Sequence, residues 1–302
     1  MNPKSSTRRL KRTAILVEMR VRKTVNLLNH PVYEHLPLRT KKKLLSAVSE
    51  DKLTWDCFYE LHRADVLAAT LEHALSIEIE PQPPLRLIMW GWEIDGNAFD
   101  NLMSRLDGRP TVLAQSKAGV EWAPLQSILA EIENYGDGKL EGQKTEPDVI
   151  VVTKTLLILF ECKRKHGLGR CSRFEHQQCP EIHIEGRKRD YCQYWTRGLP
   201  SLVNFPRPTP ATESEPPCNR FYQLLRNYMI GSRLAAKLDR KFYPVVVKNP
   251  NSPHFDETDA EIKSFNATTR RMPKYKVTSW ATARDKARQS GIEVLWSYTS
   301  EL

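Results

Sequence analysis

Two short apolar runs near the middle of the chain each border on charged side chains. The run Leu156–Phe160 leads directly into Glu161 and Lys163, and the run 149–152 begins directly after Asp148. Side chains alternate between the two faces of a strand, so Glu161 and Lys163 share one face. A three-residue link separates the two runs, and we expect a hairpin that brings Asp148 close to both residues.

These three side chains are suited to phosphodiester chemistry. Two carboxylates and an ammonium group are costly to bury at the end of an apolar sheet without a purpose. Asp148 and Glu161 offer the hard oxygen ligands that Mg²⁺ or Mn²⁺ prefers, and such a metal ion activates water and stabilises charge on a phosphate. Lys163 can orient the water or meet the phosphate as a point charge. The alternative is a surface ion pair between Glu161 and Lys163 on a strand that leaves the core.

The order Pro147-Asp148, followed after a hydrophobic strand by Glu161-Cys162-Lys163, resembles the PD-(D/E)XK nuclease superfamily. The resemblance covers about residues 49–248. It implies a restriction-endonuclease-like fold, Mg²⁺ bound by Asp148 and Glu161, and Lys163 serving the attacking water. It also implies hydrolysis of DNA.

Many members of this superfamily carry a further acid on a helix before the core strands. The segment 49–55 is similar to such an element in some bacterial members, and it offers Glu50 as a fourth catalytic residue. Glu121 is the competing candidate, since it is in phase with the apolar positions of a helix predicted over 122–135. Either acid can instead be an ordinary first-turn residue that interacts with its helix dipole.

The segment 222–228 is similar to the Gln-containing helix of the RecB-like branch of the superfamily. The resemblance implies that Gln223 touches a phosphate or the region of the general base, and that Arg226 contacts the DNA backbone. Both can also be ordinary solvated residues beside the apolar stripe of the helix.

Residues 164–220 form a Cys- and Pro-rich segment that predicts an irregular insertion or lid with little core of its own. Four of the six cysteines lie in it: Cys171, Cys179, Cys192 and Cys218. Their spacing contains no Cys-x-x-Cys pair, so they can be unligated thiols. They can also bind a structural Zn²⁺, or an iron–sulfur cluster as in some RecB-like nucleases. Three histidines are spare candidate ligands: His166, His176 and His183.

The insertion also alternates basic and aromatic residues, which suits contact with nucleic acid strands. The set is Arg170, Arg173, Phe174, Arg187, Lys188, Arg189, Tyr191, Tyr194, Trp195 and Arg197. As a set they predict a DNA-facing lid, whereas Tyr194 and Trp195 can individually be core residues.

The excess of basic residues lies at one end of the chain. Residues 1–45 contain twelve basic and two acidic residues, and the remaining residues carry 34 of each, so the net charge of +10 belongs to this arm. A basic helix is predicted over 8–30, and we expect its first residues to bind nucleic acid: Arg8, Arg9, Lys11 and Arg12. The alternative is a helix whose charges serve only solubility.

Length, composition and hydropathy set the class of the protein. The chain has 302 residues, 40% of them hydrophobic, which is enough for a core. Its apolar runs are too short for a membrane span, and its basic arm lacks the apolar region of a secretory signal, so we expect a cytoplasmic protein without membrane contact.

Alternating helices and strands predict an α/β fold with a mixed central sheet flanked by helices. We expect an arm over 1–45 and a nuclease-like domain over 46–302. Helices are predicted at 41–48, 50–75, 122–135, 221–238 and 282–289. Strands are predicted at 85–90, 148–152, 156–160, 243–248 and 293–298. A polar helix or loop is predicted over 97–106.

These expectations together describe a Mg²⁺-dependent endonuclease that acts on DNA, with RNA as another candidate substrate. A double-strand cut by one site per chain would favour a homodimer. The alternative is a non-catalytic DNA- or RNA-binding protein that keeps the fold and uses the basic arm.

Overall fold

The computed structural model describes residues 38–45, 49–63, 65–80, 85–90, 92–94, 103–106, 109–112, 147–183, 192–211, 215–270 and 273–289. Several predicted features lie outside these residues, namely the helices at 8–30 and 122–135, the strand at 293–298, Glu121, and the basic residues Arg8, Arg9, Lys11 and Arg12.

The described part of the chain alternates between helices and strands. The helices are α1 (Leu38–Leu45), α2 (Glu50–Arg63), α3 (Leu67–Leu75), α4 (Ser172–Glu175), α5 (Gln193–Arg197), α6 (Leu199–Leu202), α7 (Pro217–Arg220), α8 (Tyr222–Lys237), α9 (Phe255–Thr268) and α10 (Trp280–Gln289). The strands are β1 (Arg86–Met89), β2 (Trp92–Ile94), β3 (Met103–Leu106), β4 (Arg109–Val112), β5 (Val149–Val152), β6 (Leu156–Lys163), β7 (Lys241–Lys248) and β8 (Lys276–Ser279).

A mixed six-stranded sheet forms the centre of the molecule, in the order β2-β1-β5-β6-β7-β8. Strands β2, β1, β5 and β6 pair antiparallel, whereas β6, β7 and β8 pair parallel. The mixed α/β class predicted from the sequence is confirmed. Among the described residues, no helix is long and apolar enough to cross a membrane.

The predicted hairpin is formed by β5 and β6. Val149 pairs with Phe160 and Val152 with Leu157, so the same register sets Asp148 opposite Glu161. The link is a tight turn in which Thr153 Oγ1 accepts a hydrogen bond from Leu156 N at 2.9 Å. A period of two along each strand then puts Asp148, Glu161 and Lys163 on one face of the sheet.

Helices cover both faces of this hairpin, which explains why residues 149–152 and 156–160 are apolar on both faces of their strands. On one face, Ile150 and Leu159 belong to the same hydrophobic cluster as Leu224 of α8. On the other face, the ring of Phe160 meets that of Phe58 of α2 edge-on, with centroids 4.9 Å apart.

The helix predicted over 50–75 is in fact two helices. Ser49 caps the first of them, since its Oγ accepts a hydrogen bond from Lys52 N at 3.0 Å. The first helix ends at Arg63, and Asp65 adopts a left-handed conformation with φ of 58°. Asp tolerates this conformation better than most residues. The turn was not predicted because the sequence has no Gly or Pro at this point.

Other elements differ from the sequence prediction. Residues 103–106 form a strand, β3, which pairs with β4, so the polar helix or loop predicted there is wrong for these residues. The Asp-Gly dipeptide between the two strands is typical of a two-residue hairpin turn, and we missed that signal. Helix α9 and strand β8 were not predicted either.

The insertion contributes more to the core than the sequence suggested. Leu168, Trp195, Leu199 and Val203 belong to the same hydrophobic cluster as helix α8. The prediction that this segment builds little core is therefore wrong, because large apolar side chains pack from short helices and loops between the prolines. For Trp195, which is 5% exposed, the core interpretation is confirmed.

Candidate functional site

Four residues predicted to do chemistry meet at one end of the β5–β6 hairpin. Lys163 Nζ lies 2.8 Å from Glu161 Oε1 and 3.9 Å from Glu50 Oε1. Asp148 Oδ2 accepts a hydrogen bond from the backbone N–H of Cys162 at 2.8 Å. The structure thus brings Asp148, Glu161, Lys163 and Glu50 together, from two strands and one helix.

Glu50 reaches the hairpin from the first turn of α2. Its Oε2 accepts a hydrogen bond from Arg164 N at 2.5 Å, which joins two residues 114 positions apart. A first-turn acid that only interacted with its own helix dipole would need no partner from another element. The Glu50 carboxylate is instead part of this site, whereas the competing Glu121 lies outside the described residues.

Helix α8 supplies two amide side chains that hold Glu161. Gln223 Nε2 donates to Glu161 Oε1 at 2.5 Å, and Asn227 Nδ2 donates to Glu161 Oε2 at 2.6 Å. Gln223 Oε1 accepts in turn from Gly169 N at 2.6 Å. Gln223 is therefore a site residue rather than a solvated one. We did not single out Asn227, although its spacing of four residues from Gln223 puts both on one face of a helix.

The electrostatics of the site are dominated by three carboxylates and one ammonium group. Glu161 is only 3% exposed. Desolvation raises the pKa of Asp148 well above its usual value, and the charges of Glu161 and Glu50 raise it further. The positive charge of Lys163 lowers this pKa, but by less than the other causes raise it. Desolvation likewise raises the pKa of Glu50, although the positive charge of Lys163 acts to lower it. Burial alone would lower the pKa of Lys163, but the three carboxylates outweigh it and raise that pKa. With all three carboxylates ionised, the site would carry more negative charge than Lys163 alone neutralises.

This donor set fits a divalent cation in its chemistry. Carboxylate oxygens are the ligands that Mg²⁺ and Mn²⁺ prefer, and a cation would act against the desolvation and the repulsion that raise the pKa of Asp148. As the side chains stand, no group of three or more His, Cys, Asp or Glu in the described residues is arranged to hold a metal ion. The oxygens of Glu161 are engaged instead by Lys163, Gln223 and Asn227.

The basic residues predicted to contact nucleic acid have other neighbours. Arg226 packs its guanidinium group 5.8 Å from the ring centroid of Tyr222, and its contact with DNA stays a prediction. Arg170 pairs with the buried Glu261 at 2.6 Å. Residues 187–191 of the expected lid lie outside the described residues.

The four cysteines of the insertion, Cys171, Cys179, Cys192 and Cys218, line one cavity. The candidate ligands His166, His176 and His183 are exposed and do not line it.

Carboxylates beside an ammonium group at the end of two central strands are groups that can bind a cation and polarise a phosphate or a water molecule. Comparison of the chain with protein-family models, with curated proteins and with solved structures finds no match. The geometry of the site is therefore what supports a function.

Proposed function

We propose that the chain is a Mg²⁺-dependent nuclease of the PD-(D/E)XK type that hydrolyses DNA. The observation that carries this proposal is the meeting of Asp148, Glu161 and Lys163 at the end of the β5–β6 hairpin. The mixed sheet with helices on both faces is compatible with the restriction-endonuclease-like fold that the sequence resemblance implies.

Each residue would have a defined part in the reaction. Asp148 and Glu161 would hold the metal ion, with Glu50 beside them, and the ion when bound supplies charge stabilisation and a more acidic water. Lys163, which lies 2.8 Å from Glu161, would donate to a phosphate oxygen or to the attacking water. Gln223 and Asn227 would orient the Glu161 carboxylate through their two hydrogen bonds.

One observation favours a second candidate, a non-catalytic DNA- or RNA-binding protein. Both oxygens of Glu161 already accept hydrogen bonds, from Gln223 and from Asn227, and Lys163 neutralises its charge. A buried carboxylate satisfied in this way can be purely structural. In that case the basic arm would bind nucleic acid and the site would only stabilise the fold.

A cleavage assay separates the two candidates. Supercoiled plasmid is incubated with the purified chain in Mg²⁺ or in excess EDTA, beside Asp148→Ala, Lys163→Ala and the control Lys165→Ala. Lys165 is an exposed lysine two residues after Lys163. We expect Mg²⁺-dependent nicking or linearisation that falls at least about 100-fold in the two site variants, since each loses a group that stabilises developing charge.

The control Lys165→Ala should cut at the wild-type rate, and circular dichroism should show that all variants are folded. Lys163→Ala cutting at the wild-type rate contradicts the assignment. Retardation of plasmid without any cut, with single-stranded DNA and RNA also intact, favours the binding protein.

A further inference from the structure

The insertion gathers four thiols around one small space. Cys171, Cys179, Cys192 and Cys218 all line a cavity of about 40 Å³. They come from separate short segments of the chain, and neither Cys57 nor Cys162 is among the lining residues. The space is large enough for an ion or a water molecule. It lies in a part of the chain that the proposed nuclease chemistry does not use.

The walls of this cavity are otherwise mainly apolar, with Phe174, Leu199 and Leu225 among them. One polar group stands out: Trp195 Nε1 is buried and has no hydrogen-bond partner among the described residues. Desolvation raises the pKa of the Cys218 thiol, and this nearby indole N–H acts against that rise. An indole N–H is a donor only, so its natural partner here is a negatively charged sulfur.

Backbone amides approach the other three sulfurs. Desolvation raises the pKa of each of these thiols, and the N–H groups two and three residues further along the chain act against that rise. The pairs are Arg173 and Phe174 for Cys171, Glu181 and Ile182 for Cys179, and Tyr194 and Trp195 for Cys192. Amide donors placed in this way stabilise thiolates and hold them in position.

A polar network fixes the backbone that carries the cysteines. Cys171 N donates to Oδ1 of the buried Asn219 at 2.8 Å, next to Cys218 in the chain. Cys192 N donates to Glu181 Oε1 at 2.7 Å, and Arg207 holds the same carboxylate with two hydrogen bonds of 2.6 and 2.7 Å. The segments are therefore joined around the cavity by bonds that need no metal ion.

Burial disfavours the thiolate charge that these hydrogen-bond donors stabilise. The mainly apolar walls of the cavity disfavour a thiolate that has no cation beside it. A cation that takes the place of the protons would convert all four sulfurs to thiolates and use every donor described above.

We propose that Cys171, Cys179, Cys192 and Cys218 bind one Zn²⁺ as a closed tetrathiolate site. Zn²⁺ takes four thiolates in tetrahedral geometry, and a site without an open position is structural. Binding replaces four S–H bonds by four Zn–S bonds and releases four protons. The sulfurs as they stand are not grouped at ligand distance, so binding requires rotation about the Cα–Cβ bonds.

Metal analysis of the purified full-length chain, expressed with zinc and iron supplied, tests the assignment. We expect one zinc and no iron per chain, and an X-ray absorption spectrum with four sulfurs at about 2.3 Å from the zinc. The variant Cys171→Ser/Cys218→Ser should lose the zinc. Cys57→Ser removes a buried cysteine that does not line this cavity, and it should keep the zinc.

A second measurement uses the unaltered chain, in case the double variant does not fold. Titration with a mercurial should release one zinc for every four thiols that react. Removal of the zinc should lower the melting temperature. Adding Zn²⁺ back should restore that temperature, whereas Mg²⁺ should not. Zinc far below one per chain, or zinc retained by the double variant, overturns the proposal. Iron and sulfide with the visible absorption of a cluster overturn the choice of zinc.

Discussion

The candidate site is organised around one carboxylate. Glu161 accepts hydrogen bonds from Gln223 and Asn227 and pairs with Lys163. The strand period made the pairing of Glu161 with Lys163 predictable, because two residues on one strand face are neighbours wherever the strand lies. The amide of Asn227 was not predictable in the same way, since it reaches Glu161 only after α8 packs against the sheet.

The contact of Asn227 with Glu161 predicts a stability effect. Asn227 is 2% exposed, and Asn227→Ala would leave Glu161 Oε2 without this donor in a buried place. We expect the free energy of unfolding to fall by about 1.5–3 kcal/mol, the range for a hydrogen bond to a charged group. Urea denaturation at neutral pH, with Mg²⁺ absent, measures this change in the free energy of unfolding.

A matched control is Asn204→Ala, which removes an exposed asparagine side chain. Its effect should stay within about 0.5 kcal/mol, as for most surface substitutions. The Asn227→Ala effect should also shrink in a Glu161→Gln background, where the charge is absent. Equal effects of the two alanine variants would show that the Asn227 amide does not support Glu161.

The element that brings the amides to the site is α8, and its distance from the sheet depends on one glycine. Gly231 lies against the ring of Phe242 in β7, and a Cβ at this position would overlap that ring. Phe242 is itself confined, since its ring packs edge-on against Tyr228 with centroids 5.4 Å apart. The close approach of α8 to β7 therefore requires glycine.

Gly231→Ala should therefore destabilise the protein. Alanine is about 1 kcal/mol better than glycine in a helix interior, but overpacking in a core costs about 1–3 kcal/mol and should prevail here. Thermal unfolding followed by circular dichroism measures the change, which Phe242→Leu should partly reverse.

The control for this variant is Gly167→Ala, because a Cβ at Gly167 would meet nothing within 4 Å. We expect its melting temperature to equal that of the wild type. A Gly231→Ala variant more stable than the wild type would mean that helix propensity prevails over the contact with Phe242.

At the scale of the whole molecule, the dominant feature is the uneven charge. The net charge of +10 lies in residues 1–45, and the rest of the chain is formally neutral. Neutralisation of phosphates by such an arm releases condensed counterions, so binding should weaken steeply with salt. This charge distribution is a property of the sequence and holds for any arrangement of the arm.

Substitution of Arg8, Arg9, Lys11 and Arg12 by glutamine should weaken binding to DNA uniformly across sequences. If all four contact phosphates, the slope of log K against log salt should fall by roughly 3.6, at about 0.9 for each contact on duplex DNA. Fluorescence anisotropy over a salt series measures the slope. Competition between equal lengths of RNA and DNA in the same assay shows which nucleic acid the chain prefers.

The control removes four exposed basic residues outside the arm by the same substitution. They are Lys237, Lys241, Lys263 and Arg288. We expect their loss to change the slope by less than the loss of the arm residues. An unchanged slope in the arm variant would mean that these four charges serve solubility rather than binding.

The local features of this protein follow from its sequence alone. The β5–β6 hairpin and the shared face of Glu161 and Lys163 follow from strand periodicity and a short link, which act over a few residues. Helix α8 was predicted for the same reason, from apolar residues at helical spacing.

Contacts between groups far apart in the sequence depend on the packed fold. The hydrogen bond of Glu50 to Arg164 N spans 114 residues, and that of Asn227 to Glu161 spans 66. The four cysteines share one cavity although their spacing contains no close pair. Such contacts depend on how helices pack on the sheet, and packing is set by the shapes of many side chains together rather than by any local pattern.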